Sequence, residues 1–245
     1  MQTIHIAGRD LELLAPSGFS PGKTRCPVVY ALDAGIIFKA LEEIPEEKKS
    51  YPFLLVGIPA LDRLSEYTPW PAKALHERFA DFGGRGEEHL DYLEKVLIPG
   101  VHEELFGNAS PGQTALLGLS LSGLLGIYSL YKTDIFDHVA SISGSFWYPD
   151  WTGFVKENGL VNKKASVFLS SGENEGKGAH DIKKNAAQAT KDTYETLTAH
   201  LPRGNVEMQW NPYGHHDSIP LKLSEALAYF DKQFSQQSWE NSAFI

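Results

Sequence analysis

Short apolar runs recur along the chain and are separated by longer segments with a helical pattern. A run that is apolar at successive positions indicates a strand buried on both faces, as in a parallel sheet covered by helices. Of the helical segments, two place apolar residues at spacings of three and four, and the middle one is mostly polar. We predict strands at Pro27–Leu32, Phe53–Ile58, Thr114–Gly118, His138–Ile142, Ser166–Ser170 and Val206–Trp210, and helices over Glu87–Leu105, Asp181–Leu201 and Lys222–Phe234. Pro99 should bend or end the first of these helices.

The alternation of strands and helices predicts an α/β fold, with a mostly parallel central sheet, right-handed crossovers and helices on both faces. The start of the chain differs, because Ile4, Ile6, Leu11 and Leu13 alternate with polar neighbours. This period of two indicates an antiparallel edge of the sheet. No repeat or linker divides the chain, so we interpret residues 1–245 as one domain.

Composition and charge narrow the function classes. Hydrophobic residues make up 42% of the 245 residues and charged residues 22%, as in an ordinary globular enzyme. The formal net charge is −9 with no basic run, which argues against nucleic acid as a partner. Cys26 is the single cysteine, so no intrachain disulfide can form. The first residues lack a signal-peptide pattern and no apolar run could span a bilayer, so we expect a cytoplasmic protein without membrane contact.

The segment from Thr114 to Gly126 carries the clearest chemical signal. A predicted strand runs directly into a helix, and Ser120 stands at the junction. A nucleophile elbow needs this strand–serine–helix arrangement, with small residues two positions before and after the serine. Gly118 and Ser122 are both small, although glycine is the usual residue at the second position. The free N–H groups of the helix N-terminus would face an anion that develops at Ser120.

Two other interpretations of this segment remain open. Ser120 could serve only as the N-cap of the helix, a role that serine commonly takes. Ser122 is a second candidate nucleophile, although it lies half a turn inside the predicted helix. The strand before the serine and the helix after it favour the elbow at Ser120.

Candidates for an acid and a base follow in the order that a Ser–acid–His triad of this fold requires. Glu173 and Glu175 lie in a glycine-containing turn after the strand at Ser166–Ser170, and spacing alone does not separate them. His215 and His216 lie between the last strand and the last helix. A histidine there can reach the serine, take its proton and return it to the leaving group. A metal site is disfavoured, because adjacent histidines rarely point the same way and no H-E-x-x-H string is present.

The chain resembles the putative esterase family, which includes esterase D and the enterochelin (siderophore) esterases. The resemblance covers most of the chain and is carried by several segments in addition to the serine motif. They are Val28–Gly35, Val56–Pro59 followed by Asp62-Arg63 and Tyr67-Thr68-Pro69, Phe82–Gly86 leading to Pro99, and His138–Trp147.

The resemblance implies an α/β-hydrolase fold and a role for particular residues. Ser120 matches the family nucleophile, His216 matches the base of its Gly-x-His pattern, and Glu175 matches the acid. The oxyanion donors would be the backbone N–H groups of Leu121 and Ala34, although the family usually has glycine at the second of these positions. The implied reaction is acyl transfer to the serine followed by hydrolysis, with no metal or other cofactor.

The expected partner is a small-molecule ester, and the sequence does not indicate an oligomeric state. The family spans siderophore lactones, feruloyl and acetyl esters, and S-formylglutathione. Arg63 and Trp147 are candidates to contact the substrate, and the long stretch from Arg63 to Gly86 could form a rim over the site. Two rival functions remain: a catalytically silent scaffold that binds a ligand, and an acyltransferase that uses the same nucleophile.

Overall fold

A mostly parallel sheet forms the centre of the computed structural model, which describes residues 2–49, 51–107 and 111–242. Within these ranges the sheet has eight strands in the order β1-β2-β4-β3-β7-β8-β9-β10, and β5 pairs with β6 separately. The strands are β1 Gln2–Ile6, β2 Arg9–Leu14, β3 Val28–Leu32, β4 Leu54–Ile58, β5 Pro71–Ala72, β6 Phe82–Gly83, β7 Thr114–Leu119, β8 His138–Ile142, β9 Ser166–Gly172 and β10 Val206–Asn211.

The strand predictions are confirmed. Each of the six predicted apolar runs forms a parallel strand, β3, β4 or β7 to β10. The alternating N-terminal residues form a hairpin in which β1 pairs antiparallel with β2, and β2 pairs antiparallel with β4. In β3, β4, β7 and β8 nearly every residue is buried, because helices cover both faces of the sheet.

Helices lie on both faces of the sheet, as predicted. The side chains of β3 alternate between the two layers, with Val29 and Ala31 on one face and Val28 and Tyr30 on the other. Helices α1 and α8 cover the first face, and α3 to α7 pack on the second. The helices are α1 Ala34–Glu42, α2 Arg63–Glu66, α3 Gly86–Tyr92, α4 Ile98–Phe106, α5 Leu121–Ser129, α6 Trp151–Glu157, α7 Ala186–His200 and α8 Ile219–Ser242.

Within the described ranges, three short helical turns adjoin four of these helices. A 3₁₀ turn, Glu46–Lys48, follows α1, and a second one, Ile182–Asn185, leads into α7. A π turn, Leu93–Leu97, joins α3 to α4, and Pro99 lies in the first turn of α4. The helical run predicted around Pro99 therefore continues to Phe106 with a change of hydrogen bonding, because a proline in a first turn needs no N–H partner.

The carboxyl ends of the parallel strands lie at one edge of the sheet. Asp33 follows β3, Ser120 follows β7, and Ser143 follows β8, and all three have a positive φ, which marks sharp turns at the strand ends. In parallel α/β sheets ligands bind beside these strand ends, so the fold directs attention to this edge. None of the helices within the described ranges is long and apolar enough to cross a membrane.

Candidate active site

A sharp turn holds Ser120 between β7 and α5. Its backbone has φ 62° and ψ −117°, which a residue with a side chain adopts only when its surroundings enforce it. Gly118 is part of that enforcement, because a Cβ at this position would overlap the backbone carbonyl of Ser122. Ser120 is half-buried, and its hydroxyl lies beyond the end of the strand. This local structure is the one that the sequence predicts for a nucleophile elbow.

Ser122 stands beneath the turn. It is fully buried, and its Oγ accepts a hydrogen bond of 2.8 Å from the backbone N–H of Leu119. The same Oγ lies 2.8 Å from Asp33 Oδ2 and 2.8 Å from the Leu119 carbonyl, either of which can accept its proton. Asp33 is in turn paired with Arg63 through two contacts of 2.8 Å. The rival serine is therefore enclosed in a polar network below the elbow, without contact to a histidine.

His215 bridges the serine and an acid. Its Nε2 lies 3.0 Å from Ser120 Oγ, and its Nδ1 lies 3.0 Å from Glu175 Oε2. The contact to the carboxylate favours the tautomer with the proton on Nδ1, which leaves Nε2 free to accept a proton from the serine. The loop between β10 and α8 thus brings a histidine to the serine, as the sequence predicts.

The histidine itself differs from the one named by the family pattern. The family pattern implies His216 as the base, whereas the structure places His215 against the serine; the side chain of His216 is exposed and forms no hydrogen bond with Ser120 or Glu175. Its ring lies perpendicular to that of His215, with the centroids 4.8 Å apart. Neighbouring side chains of one loop point in different directions. The loop is held by hydrogen bonds from Lys222 to the carbonyls of Gly214 and His215, which leave the first histidine facing the serine.

The structure also separates the two acidic candidates. Glu175 is buried and contacts His215, whereas Glu173 is exposed. The second carboxylate oxygen of Glu175 accepts a hydrogen bond of 2.9 Å from the backbone N–H of Gly172. Burial raises the pKa of Glu175, but the hydrogen bond and charge of His215 outweigh it, so the pKa lies below its ordinary value. The carboxylate beside the histidine is therefore ionised at neutral pH.

Helices α5 and α1 both begin at this edge of the sheet. Leu121 and Ala34 are their first residues, and the first N–H groups of a helix have no partner within it. The N–H of Asp33 is occupied, since it donates to the Tyr67 hydroxyl at 3.1 Å. Strands β3 and β7 are parallel neighbours, so the two helix N-termini start side by side. The predicted donors thus stand at the positive ends of two helices.

The two residues predicted to contact the substrate, Arg63 and Trp147, differ in whether their side chains already have partners. The guanidinium of Arg63 pairs with Asp33 and lies 3.3 Å from the carbonyl of Leu119, so it supports the residue before the serine. Trp147 is partly exposed and packs beside Phe82, with ring centroids 6.5 Å apart. The indole N–H of Trp70 donates to the carbonyl of Pro149 at 3.1 Å, so the predicted rim packs against the segment that carries Trp147.

Sequence reasoning missed two residues of the site. Ser145 is buried, its Oγ lies 3.2 Å from Ser120 Oγ, and its N–H donates to the Ser120 carbonyl. The Ser-Gly-Ser string after β8 was the available signal for it. Lys222 is completely buried beside Glu175. A lysine in the first turn of an amphipathic helix gives no signal of burial, because lysines of this kind are usually solvated.

The chain is similar in sequence to known proteins. A sequence model of the family described as Putative esterase matches residues 8–218. The chain is 33% identical over 239 residues to the uncharacterized protein YbbA of Bacillus subtilis (strain 168), covering 95% of this chain and 91% of that protein.

Solved structures extend the comparison to the fold. An IroE-like serine hydrolase from Shewanella oneidensis superposes with a TM-score of 0.76 at 21% identity, covering 94% of this chain and 80% of the other. The siderophore hydrolase EstA from Aspergillus nidulans superposes with a TM-score of 0.71 at 20% identity, covering 95% and 94%. At these identities the likeness concerns the fold, and it confirms the α/β-hydrolase architecture predicted from the sequence.

Proposed function

Because the chain belongs to the putative esterase family and is a carboxylic ester hydrolase, we propose that it cleaves its substrate through an acyl-enzyme on Ser120, with His215 as the base and Glu175 as the acid. The observation that supports this most directly is the position of one imidazole ring. Its two nitrogens lie 3.0 Å from the serine hydroxyl and 3.0 Å from the carboxylate. The hydroxyl, the imidazole and the carboxylate are thus in the order that acyl transfer requires.

In the first half of the proposed reaction, Ser120 Oγ attacks the ester carbonyl while His215 Nε2 takes the hydroxyl proton. Glu175 keeps the other ring nitrogen protonated and stabilises the imidazolium. The oxyanion of the tetrahedral intermediate accepts hydrogen bonds from the backbone N–H groups of Leu121 and Ala34. The intermediate then collapses, the alcohol leaves with the proton from His215, and the acyl group remains on the serine.

The second half returns the enzyme to its starting state. His215 removes a proton from a water molecule, which attacks the acyl carbonyl. The same two N–H groups face the new oxyanion. His215 then returns the proton to Ser120 Oγ as the carboxylic acid leaves. Such oxyanion donors contribute a large part of the rate, since the loss of one costs roughly 10²–10³ in kcat.

Adjacent histidines provide a matched test of this assignment. Replacement of Ser120 or His215 by alanine should lower kcat for p-nitrophenyl butyrate by roughly 10⁴–10⁶-fold, because both carry out the acyl transfer. His216→Ala should retain most of the activity, because the side chain of His216 does not bridge Ser120 and Glu175. Fluorophosphonate should label the wild type and His216→Ala but not Ser120→Ala. Full activity in Ser120→Ala would contradict the proposal, and an inert, unlabelled wild type would favour a silent scaffold.

For the substrate we propose a siderophore-type ester. The support is the structural similarity to the siderophore hydrolase EstA, together with the partly exposed indole of Trp147 at the rim. An aromatic ring at this position can stack on a planar group of a bulky ester. Because Asp33 neutralises Arg63 and the chain carries a net charge of −9, an uncharged siderophore ester is favoured over a strongly anionic one.

Initial rates on a panel of esters test this substrate class. An uncharged siderophore ester should show a higher kcat/KM than p-nitrophenyl butyrate. Trp147→Ala should narrow that difference by raising KM for the siderophore ester. A strongly anionic catecholate lactone should be the poorer siderophore substrate. If the simple ester is cleaved faster than every siderophore ester, the substrate assignment fails while the esterase mechanism stands.

A further inference from the structure

Lys222 combines a charged side chain with complete burial. It lies in the first turn of α8, and its side chain has a relative exposure of 0%. A fully buried lysine is rare, because removing an ammonium from water is costly unless partners compensate the charge. The catalytic steps proposed above do not use this residue, so its burial calls for a separate explanation.

The ammonium of Lys222 contacts three separate turns of the site. It donates to the Gly214 carbonyl at 2.8 Å and to the Ser143 hydroxyl at 3.1 Å, and it lies 3.5 Å from the His215 carbonyl. It also lies 3.7 Å from Glu175 Oε1, the carboxylate oxygen that does not face the histidine. One cation therefore contacts the turn after β8, the turn after β9 that carries Glu175 (the acid turn), and the loop that carries the histidine.

We propose that Lys222 is a positioning residue that fixes the His215 loop through its carbonyls and places a positive charge behind the Glu175–His215 pair. This inference rests on the proposed function of that pair. The tether keeps His215 rather than His216 facing the serine. The charge lies beside the Glu175 oxygen that faces away from His215, so it favours the ionised carboxylate that orients the imidazole.

Several charged groups act on this cluster. Burial lowers the pKa of Lys222, while the charges of Glu175, Asp217 and Glu225 raise it, and burial is the larger effect. Burial lowers the pKa of His216, and the charges of His215 and Lys222 lower it further. The proposal requires that Lys222 remain protonated at neutral pH despite its burial, and this can be measured in the unmodified protein.

The pH profile of kcat/KM is the primary test. Lys222→Met removes both the tether and the charge, whereas Lys222→Gln removes the charge but keeps an N–H donor for the loop. In both variants the acidic limb of this profile should move to higher pH, because Glu175 loses the cation that favours its ionised form. The glutamine variant should retain more kcat than the methionine variant.

Lys232→Met is the matched control. Lys232 lies on the same helix, half-exposed, and pairs with Glu207 at 2.7 Å. Its replacement should leave the acidic limb of the kcat/KM profile unchanged. An unchanged acidic limb in folded Lys222→Met and Lys222→Gln would overturn the charge role. Equal kcat in the two variants would overturn the tether.

A measurement on the wild type covers the case in which the variants do not fold, as judged by circular dichroism. With ¹⁵N-labelled lysine, the Nζ of Lys222 should show the chemical shift of an ammonium at pH 7, and a neutral amine would overturn the proposal. This NMR readout is independent of ester hydrolysis. An inactive wild type would therefore refute the proposed function and leave the charge state of buried Lys222 to be decided separately.

Discussion

Ser122 stands where the nucleophile elbow usually has glycine, and its hydroxyl forms hydrogen bonds below the elbow. Ser122 links the backbone of Leu119 to Asp33, which is held by Arg63. Asp33 also precedes α1, whose first N–H is one of the two proposed oxyanion donors. The departure from the family pattern at this position therefore connects the elbow to the neighbouring helix N-terminus.

The two glutamates of the acid turn allow a paired prediction. Glu175→Gln should lower kcat by roughly 10⁴-fold, because the amide does not supply the charge that stabilises the imidazolium. It should also lower the free energy of unfolding, since buried Lys222 loses its nearest carboxylate. Glu173→Gln, at an exposed position, should change neither quantity. Kinetics on p-nitrophenyl butyrate and urea denaturation at pH 7 measure both effects, and equal kcat values for the two variants would contradict the assignment.

At the level of residues, Ser120 is marked by the strand–serine–helix order of its own segment, whereas spacing gives the acid and the histidine each only as one of a pair. Which histidine faces the serine becomes evident only from the contacts of His215 with Glu175 and Ser120, which lie 40 and 95 residues away in the chain. Local sequence carries no record of such contacts, and for the same reason the burial of Lys222 was missed.

The turns that follow the neighbouring strands β9 and β10 are joined by hydrogen bonds. The side chain of Asn174 donates to the carbonyl of Pro212 at 3.0 Å, and its N–H donates to the carbonyl of Tyr213 at 3.2 Å. Gly172 permits this approach, because a Cβ there would overlap the carbonyl of Tyr213. The acid turn after β9 is thus fixed directly against the histidine loop after β10.

Gly172→Ala should move the acid turn after β9 away from the histidine loop after β10. The added methyl group has no space, so the loops must move apart and the contact between Glu175 and His215 should lengthen. We expect a loss of at least about 10²-fold in kcat, because small displacements of catalytic groups are costly. Gly159→Ala is the control, since the exposed Gly159 has nothing within 4 Å of the added carbon. Kinetics combined with circular dichroism checks the result, and wild-type kcat in folded Gly172→Ala would contradict it.

The predictability of the elements follows their burial. The parallel strands β3, β4, β7 and β8 are buried along nearly their whole length and mostly apolar, so they were evident in the sequence. The edge strand β10 is only partly buried, and Val206, Met208 and Trp210 alternate there with polar residues. Helices α1 and α6 were not predicted, because each is short and contains a glycine, Gly35 or Gly153, which weakens the helical pattern. The π turn before Pro99 depends on hydrogen bonding within the folded helix, which the spacing of leucines does not indicate.

At the scale of the whole molecule, the fold was more predictable than the arrangement of its site. The alternation of strands and helices limits the topology strongly, since crossovers between parallel strands are nearly always right-handed. The site instead combines residues from turns after β3, β7, β8, β9 and β10, together with the start of α8. Their relative positions depend on packing across the entire sheet.

The contribution of α8 to both the core and the site also sets the order in which the protein becomes active during translation. Ser120 leaves the ribosome well before His215, and a nascent chain that ends before Ile219 lacks both Lys222 and the helix that covers one face of the sheet. In such a chain the loop that carries His215 lacks its contacts with Lys222. The same helix therefore covers one face of the core and anchors the histidine loop.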